Sequence, residues 1–171
     1  AAIVLEGNTA NITEKCTGCG ACIESCPFEA ISRTDEGTKE TVCLDDYQGV
    51  WVFAEQRQGK IMNIAFELLG EGRKLADQLG VKLGAVLIGD KVEAKVKELV
   101  RYGADEVYLI ENTQVKDYRT EAYCAAMETA IKTYKPEIVL IGATNIGRDL
   151  GPRVAGRIRT GLTADCTNSL T

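Results

Sequence analysis

Five of the seven cysteines lie between residues 16 and 43. Four of them follow one another in Cys16-Thr17-Gly18-Cys19-Gly20-Ala21-Cys22-Ile23-Glu24-Ser25-Cys26-Pro27. The spacing C-x₂-C-x₂-C-x₃-C-P leaves so little chain between thiols that the segment must wrap around a common centre. Gly18, Gly20 and Ala21 let the backbone approach that centre and aim its N–H groups at it. The first residues show no basic region followed by an apolar stretch, so no signal peptide is expected. Without an export signal, closely spaced cysteines point to metal and not to disulfides.

This run is the one used for iron–sulfur ligation in bacterial ferredoxins. Zinc sites usually pair two C-x₂-C knuckles across a longer gap, which this run does not. One [4Fe–4S] cluster is expected on Cys16, Cys19 and Cys22, with either Cys26 or Cys43 as fourth ligand. In two-cluster ferredoxins the cysteine before proline serves the other cluster. Here that second half is degenerate, because Asp46 and Gly49 stand where cysteines would follow Cys43. A second complete cluster is therefore not expected, and a three-iron cluster on three ligands is the alternative.

The chain of 171 residues has no histidine. That excludes a histidine general base, a Ser-His-Asp triad, Cys₂His₂ zinc and Rieske-type ligation within it. Residues 1–49 carry nine acidic and three basic side chains, a net −6, whereas the whole chain is −5. The acidity concentrated there suits a surface steered toward a basic partner, or plain solubility. No basic block suggests nucleic acid, no apolar run reaches the length of a membrane span, and a cytoplasmic location is expected.

The texture changes near residues 46–49. Before it, short strands at Ile3-Val4-Leu5 and after Gly7-Asn8, a helical turn over 23–26, and a hairpin of 30–32 with 40–43 are expected. After it, apolar strands at 50–54, 83–89, 106–110 and 137–142 alternate with helical periodicity at 61–79, 92–100, 122–134 and 150–158. Gly70 and Gly72 weaken the first of those helices by about 1 kcal/mol each relative to alanine. Strands apolar on both faces, alternating with helices, predict an α/β fold with a doubly wound parallel sheet. The expected organisation is a small ferredoxin-like α+β iron–sulfur domain over 1–48, the α/β domain over 49–162, and a linker over 163–171. Cys124 falls on an apolar helix face and is expected to be a buried small residue.

After the fourth strand comes Gly142-Ala143-Thr144-Asn145-Ile146-Gly147-Arg148-Asp149-Leu150-Gly151-Pro152-Arg153. Asp149 is expected to cap the following helix, with Pro152 in its first turn. A glycine-rich turn opening a helix beyond a strand's carboxyl end suits an anion, although this one is neither G-x-G-x-x-G nor a P-loop. Arg148, Arg153, Arg157 and Arg159 suit a phosphate, an anionic flavin or a partner interface.

The segments Val50-Trp51-Val52-Phe53-Ala54-Glu55, Ile141-Gly142-Ala143-Thr144 with Gly147-Arg148-Asp149-Leu150-Gly151-Pro152-Arg153-Val154-Ala155, and Thr160-Gly161-Leu162-Thr163-Ala164-Asp165-Cys166 resemble the N-terminal domain of electron-transfer flavoprotein alpha subunits. The added ferredoxin module resembles alpha subunits of bifurcating flavoproteins from anaerobes, which pair with caffeyl-CoA reductase or lactate dehydrogenase. The resemblance implies an adenine-nucleotide-hydrolase-like sheet and a heterodimer with a beta subunit whose flavin exchanges electrons with NADH. It also implies a partner dehydrogenase or reductase, exchange with ferredoxin, and FAD held by a C-terminal domain beginning just after Thr163 to Cys166. By the same resemblance, Arg148, Asp149 and Arg153 would lie near the beta subunit or its flavin. An electron-transfer subunit without a complete active site of its own is the leading expectation. The alternatives are a nucleotide-binding α/β domain with an accessory iron–sulfur module, and a purely structural cluster.

Overall fold

Val50-Trp51-Val52-Phe53 has no polar face, so as a strand it must be covered on both sides. In the computed structural model it is, and it becomes an inner strand of the sheet. The structure describes residues 2–7, 9–16, 21–28, 30–31, 44–164 and 166. It divides into two units, Ala1–Val42 and Cys43–Thr171.

In the first unit, β1 (Ile3–Glu6) and β2 (Thr9–Ile12) pair antiparallel, with Ile3 opposite Ile12. Gly7 supplies the positive φ of the turn between them (65°). A single helical turn, α1, covers Ala21–Glu24, two residues earlier than the expected 23–26. Cys26 precedes Pro27, and the residue before a proline is pushed out of helical geometry, so the turn closes sooner. Of the expected hairpin only residues 30 and 31 are among those described.

In the second unit, β3 (Val50–Phe53), β6 (Leu83–Gly89), β7 (Glu106–Glu111) and β8 (Ile138–Leu140) form one parallel sheet in the order β7-β6-β3-β8. The helices are α2 (Asn63–Leu79), α3 (Val96–Arg101), α4 (Thr120–Tyr134) and α5 (Asn145–Ile158). The alternation expected from the sequence is present, with boundaries shifted by a few residues. Between β3 and α2 lies a small hairpin, β4 (Gln56–Arg57) and β5 (Lys60–Ile61), that the apolar pattern did not announce. Its two-residue turn, Gln58-Gly59, has positive φ at both positions, which matches the twist of paired strands.

The two faces of β3 build two cores. Val50 and Val52 pack with Ala65, Leu69 and Ala76 of α2 and Leu99 of α3. Trp51 and Phe53 pack with Tyr123, Cys124 and Met127 of α4 and Leu150 and Val154 of α5. Period-two alternation along one strand therefore decides which helix layer each side chain meets. Cys124 is fully buried, as expected of a small apolar residue there.

Gly70 and Gly72 turn out to be unlike. Gly70 is exposed, and a β-carbon there would meet nothing within 4 Å. At Gly72 a β-carbon would lie 2.8 Å from Leu83 Cδ1 and 3.1 Å from Val52 Cγ2, so its hydrogen lets α2 settle onto the sheet. Gly84 does the same for the other face, where the Trp51 and Tyr108 rings meet across it with centroids 4.2 Å apart. Gly70→Ala should raise unfolding stability by about 0.5–1 kcal/mol through helix propensity. Gly72→Ala should lower it by about 1–3 kcal/mol through overpacking. Urea midpoints of the two variants, moving in opposite directions, check both.

Candidate functional site

Cys16 follows a turn in which its amide donates to the Thr13 carbonyl at 3.0 Å. Cys22 lies in α1, and the Cys26 amide closes that turn on the Ile23 carbonyl at 3.3 Å. Cys16 is exposed, and Cys22 and Cys26 are half-buried. Cys19 and Cys43 lie outside the described residues, and among the described residues no three acidic or thiol side chains converge on one point. The donor chemistry nevertheless fits an iron–sulfur cluster. Thiol residues are spaced along one short turn–helix–turn segment, next to small residues, and imidazole donors are absent from the whole chain.

The second unit has its own constellation at the carboxyl ends of β3 and β8. Strand order reverses at β3, since β6 and β7 lie to one side and β8 to the other, and open α/β sheets place ligands at such a switch point. Here Glu55 is 2% exposed. Its Oε1 accepts from Arg57 Nη2 at 2.9 Å and Nε at 3.2 Å, and its Oε2 accepts from the Thr144 hydroxyl. Thr144 Oγ1 in turn accepts from the Gly147 amide at 3.0 Å. A cavity of about 280 Å³ opens beside them, lined also by Lys60, Met62 and Asn63. A larger one of about 440 Å³ lies at the amino ends of the strands, where Lys82, Glu106 and Tyr108 already bond to one another.

Thr144, and not Asp149, caps α5. Thr144 has extended backbone geometry (φ −87°, ψ 173°) and its hydroxyl takes the Gly147 amide, as a cap requires. Asp149 is one full turn further on, where the amides are bonded within the helix. Pro152 accordingly lies in the helix interior and not in its first turn, so it cannot donate to the carbonyl of Arg148. Gly147 is required by contact: a β-carbon there would lie 1.9 Å from the Gly142 carbonyl oxygen.

The family profile described as the electron transfer flavoprotein domain matches residues 50–170, and one described as a 4Fe-4S binding domain matches residues 11–32. The chain belongs to the electron transfer flavoprotein family. It is 57% identical over 124 residues to the electron transfer flavoprotein subunit alpha of Thermoanaerobacterium thermosaccharolyticum, covering 72% of this chain and 38% of that protein. It is 53% identical over 125 residues to the acryloyl-CoA reductase electron transfer subunit beta of Anaerotignum propionicum, covering 73% and 34%. The match to the lactate dehydrogenase (NAD(+),ferredoxin) subunit LctC of Acetobacterium woodii is 38% identical over 162 residues, covering 95% and 38%. That last match is longer than the second unit and so runs into the cysteine segment. The chain spans under two-fifths of the length of each of these relatives. Among the described residues no helix is long and apolar enough to cross a membrane.

Within this flavoprotein domain, the three residues expected at a flavin or partner interface all lie on α5 but differ in environment. Arg148 is exposed, with Nε donating to the Ala143 carbonyl at 3.4 Å. Arg153 Nε pairs with Asp149 Oδ1 at 3.0 Å. Asp149 Oδ2 accepts from the Tyr118 hydroxyl and from Thr120 Oγ1, each at 2.6 Å. The hydrogen bonds from Thr120, Tyr118 and Arg153 lower the Asp149 carboxyl to a pKa of about 2. Burial, and then the bond to Asp149, push the Tyr118 hydroxyl up to about 12. Arg157 pairs with Glu121 and Glu128 of α4. The sequence reading gave Glu55 and Thr144 no role. The available signals were an acid directly ending an apolar strand, and a threonine three residues before a glycine.

Asp149 is more acidic folded than its ordinary value near 3.9, so its contribution is present above that pH and lost as pH falls toward about 2. Unfolding stability followed by circular dichroism should decline over that window in the wild type. Asp149→Asn should flatten that part of the curve. Gly147→Ala should destabilise by about 1–3 kcal/mol or more, because a backbone carbonyl stands in the way, measured as a fall in urea midpoint.

Proposed function

We propose that this chain is the electron-relay portion of an electron-transfer flavoprotein alpha subunit that works in the cytoplasm in flavin-based electron bifurcation. The observation carrying the reading is the presence, on one chain, of a 4Fe-4S binding match at residues 11–32 and a flavoprotein match at residues 50–170. Residues 1–48 form the iron–sulfur module, 49–162 the α/β domain, and 163–171 the linker toward a C-terminal FAD domain. A [4Fe–4S] cluster supplies one-electron redox chemistry when bound. Cys16, Cys19 and Cys22, with Cys26 or Cys43, would hold it as thiolates, and backbone N–H groups of the residues between them would tune it.

The chain's partners in this reading are a flavoprotein beta subunit, a flavin dehydrogenase or reductase, and ferredoxin. Support comes from the relative named a lactate dehydrogenase (NAD(+),ferredoxin) subunit, whose match covers 95% of the chain. One-electron relay needs no general acid or base, which is consistent with a chain that has no histidine. Arg148 presents a fixed positive charge at the α5 terminus toward the beta subunit or its flavin, and the Asp149–Arg153 pair steadies the turn that carries it.

Anaerobic iron and sulfide analysis with EPR tests the reading. The reduced wild type should show a four-iron signal, and one of Cys26→Ala and Cys43→Ala should lose it, naming the fourth ligand. A colourless iron-free chain, or one that holds zinc, overturns the relay. A signal kept by both variants overturns the ligand assignment. Arg148→Glu should weaken association with the beta subunit by about tenfold or more, read by calorimetry.

A further inference from the structure

Open α/β sheets place ligands at the switch point, and the positive ends of helices that start there suit a phosphate. Two helices start beside the crevice. The cap residue of α2, Met62, makes no side-chain capping bond, and that helix has no acid in its first turn. The cap of α5 is Thr144, whose oxygen takes the Gly147 amide and whose hydrogen goes to Glu55. What lies between these starts is a carboxylate of the chain itself. Glu55 is 2% exposed, and both its oxygens are engaged, one by Arg57 and one by Thr144.

We infer that Glu55 is a built-in anion standing where a nucleotide phosphate would bind, so that this domain excludes nucleotides instead of binding them. Three features support this. The Arg57 guanidinium that could grip a phosphate is already on Glu55 Oε1 at 2.9 Å. The α5 terminus already acts on a negative group through the amide–hydroxyl–carboxylate chain Gly147–Thr144–Glu55. The remaining cavity, about 280 Å³, is at the lower edge of small-molecule sites (~300 Å³) and would bring an incoming phosphate against a fixed like charge. Glu55 is thus a specificity-determining residue, and the carboxylate–arginine–threonine set holds the β3 and β8 ends together.

Titration calorimetry of the full chain with AMP and with inorganic phosphate tests this. The wild type should show no binding up to millimolar ligand. Glu55→Ala, which vacates the position and releases Arg57, should bind phosphate about tenfold tighter than the wild type or better. Phosphate should also raise the Tm of that variant dose-dependently and leave the wild-type Tm unmoved. Adding Arg57→Gln to Glu55→Ala should abolish the gain. Should Glu55→Ala not fold, Glu55→Ser also vacates most of the position and removes the charge, and a raised phosphate affinity there supports the inference equally. Wild-type binding of AMP, a variant that folds yet gains nothing, or a gain that survives loss of Arg57 would each overturn it. The cluster and its EPR signal play no part in these measurements, so their outcome is separate from that of the relay.

Discussion

A carboxylate buried where parallel strands end is costly unless every oxygen is bonded, and the carboxyl edge of this sheet is arranged around meeting that demand at Glu55. Arg57 satisfies one oxygen and thereby fixes the β4–β5 hairpin. Thr144 satisfies the other and thereby fixes the start of α5. The neighbouring Gln56, also buried, extends the same arrangement across the sheet. Its Nε2 donates to the Ile88 carbonyl at 3.0 Å and to the Tyr123 hydroxyl at 3.1 Å, and its Oε1 accepts from the Gly59 amide at 2.9 Å. Two adjacent polar residues thus join β3, β6, α4, α5 and the hairpin. Removing one partner would leave a buried polar group unpaired, which costs more than the bond itself contributes.

The start of α5 depends on that edge and on one close approach. Gly147 lies so near the Gly142 carbonyl that only a residue without a side chain fits, and this sets the depth at which the helix docks on β8. Once docked, the helix is held laterally by charge. Asp149 gathers Tyr118, Thr120 and Arg153, and Arg157 reaches Glu121 and Glu128 on α4. The arginine-rich stretch is therefore largely a fastening between α5 and its neighbours. Arg148 lies exposed at the first turn, with its Nε donating to the Ala143 carbonyl.

The same division of labour bears on function. A doubly wound sheet is a common scaffold, and fold alone does not say what it binds. In this member of the electron transfer flavoprotein family the carboxyl edge of the sheet holds the buried Glu55 beside a cavity of about 280 Å³, while the 4Fe-4S binding match falls on the separate cysteine segment. The α/β unit itself is built on two cores, one on each face of β3.

Much of this was legible locally. Cysteine spacing needs no long-range contact to be read, because a short wrapped loop has few other uses, and the matched 4Fe-4S profile agrees with it. The parallel sheet was legible because strands buried on both faces lose their polar alternation, as β6 does over Leu83–Gly89. The α5 boundary was misread: Asp149 is a good cap by type, but a cap is chosen by which amides are unbonded, and Thr144 stands at those. The β4–β5 hairpin was missed because two-residue strands carry no measurable periodicity. The roles of Gly72, Gly147 and Glu55 belong to the tertiary structure alone. Glu55 and Thr144 are 89 residues apart, and only the adjacency of β3 and β8 brings them into contact. Periodicity and spacing report what a residue does for its neighbours along the chain, whereas close approach and buried charge are settled by what folding places across from it.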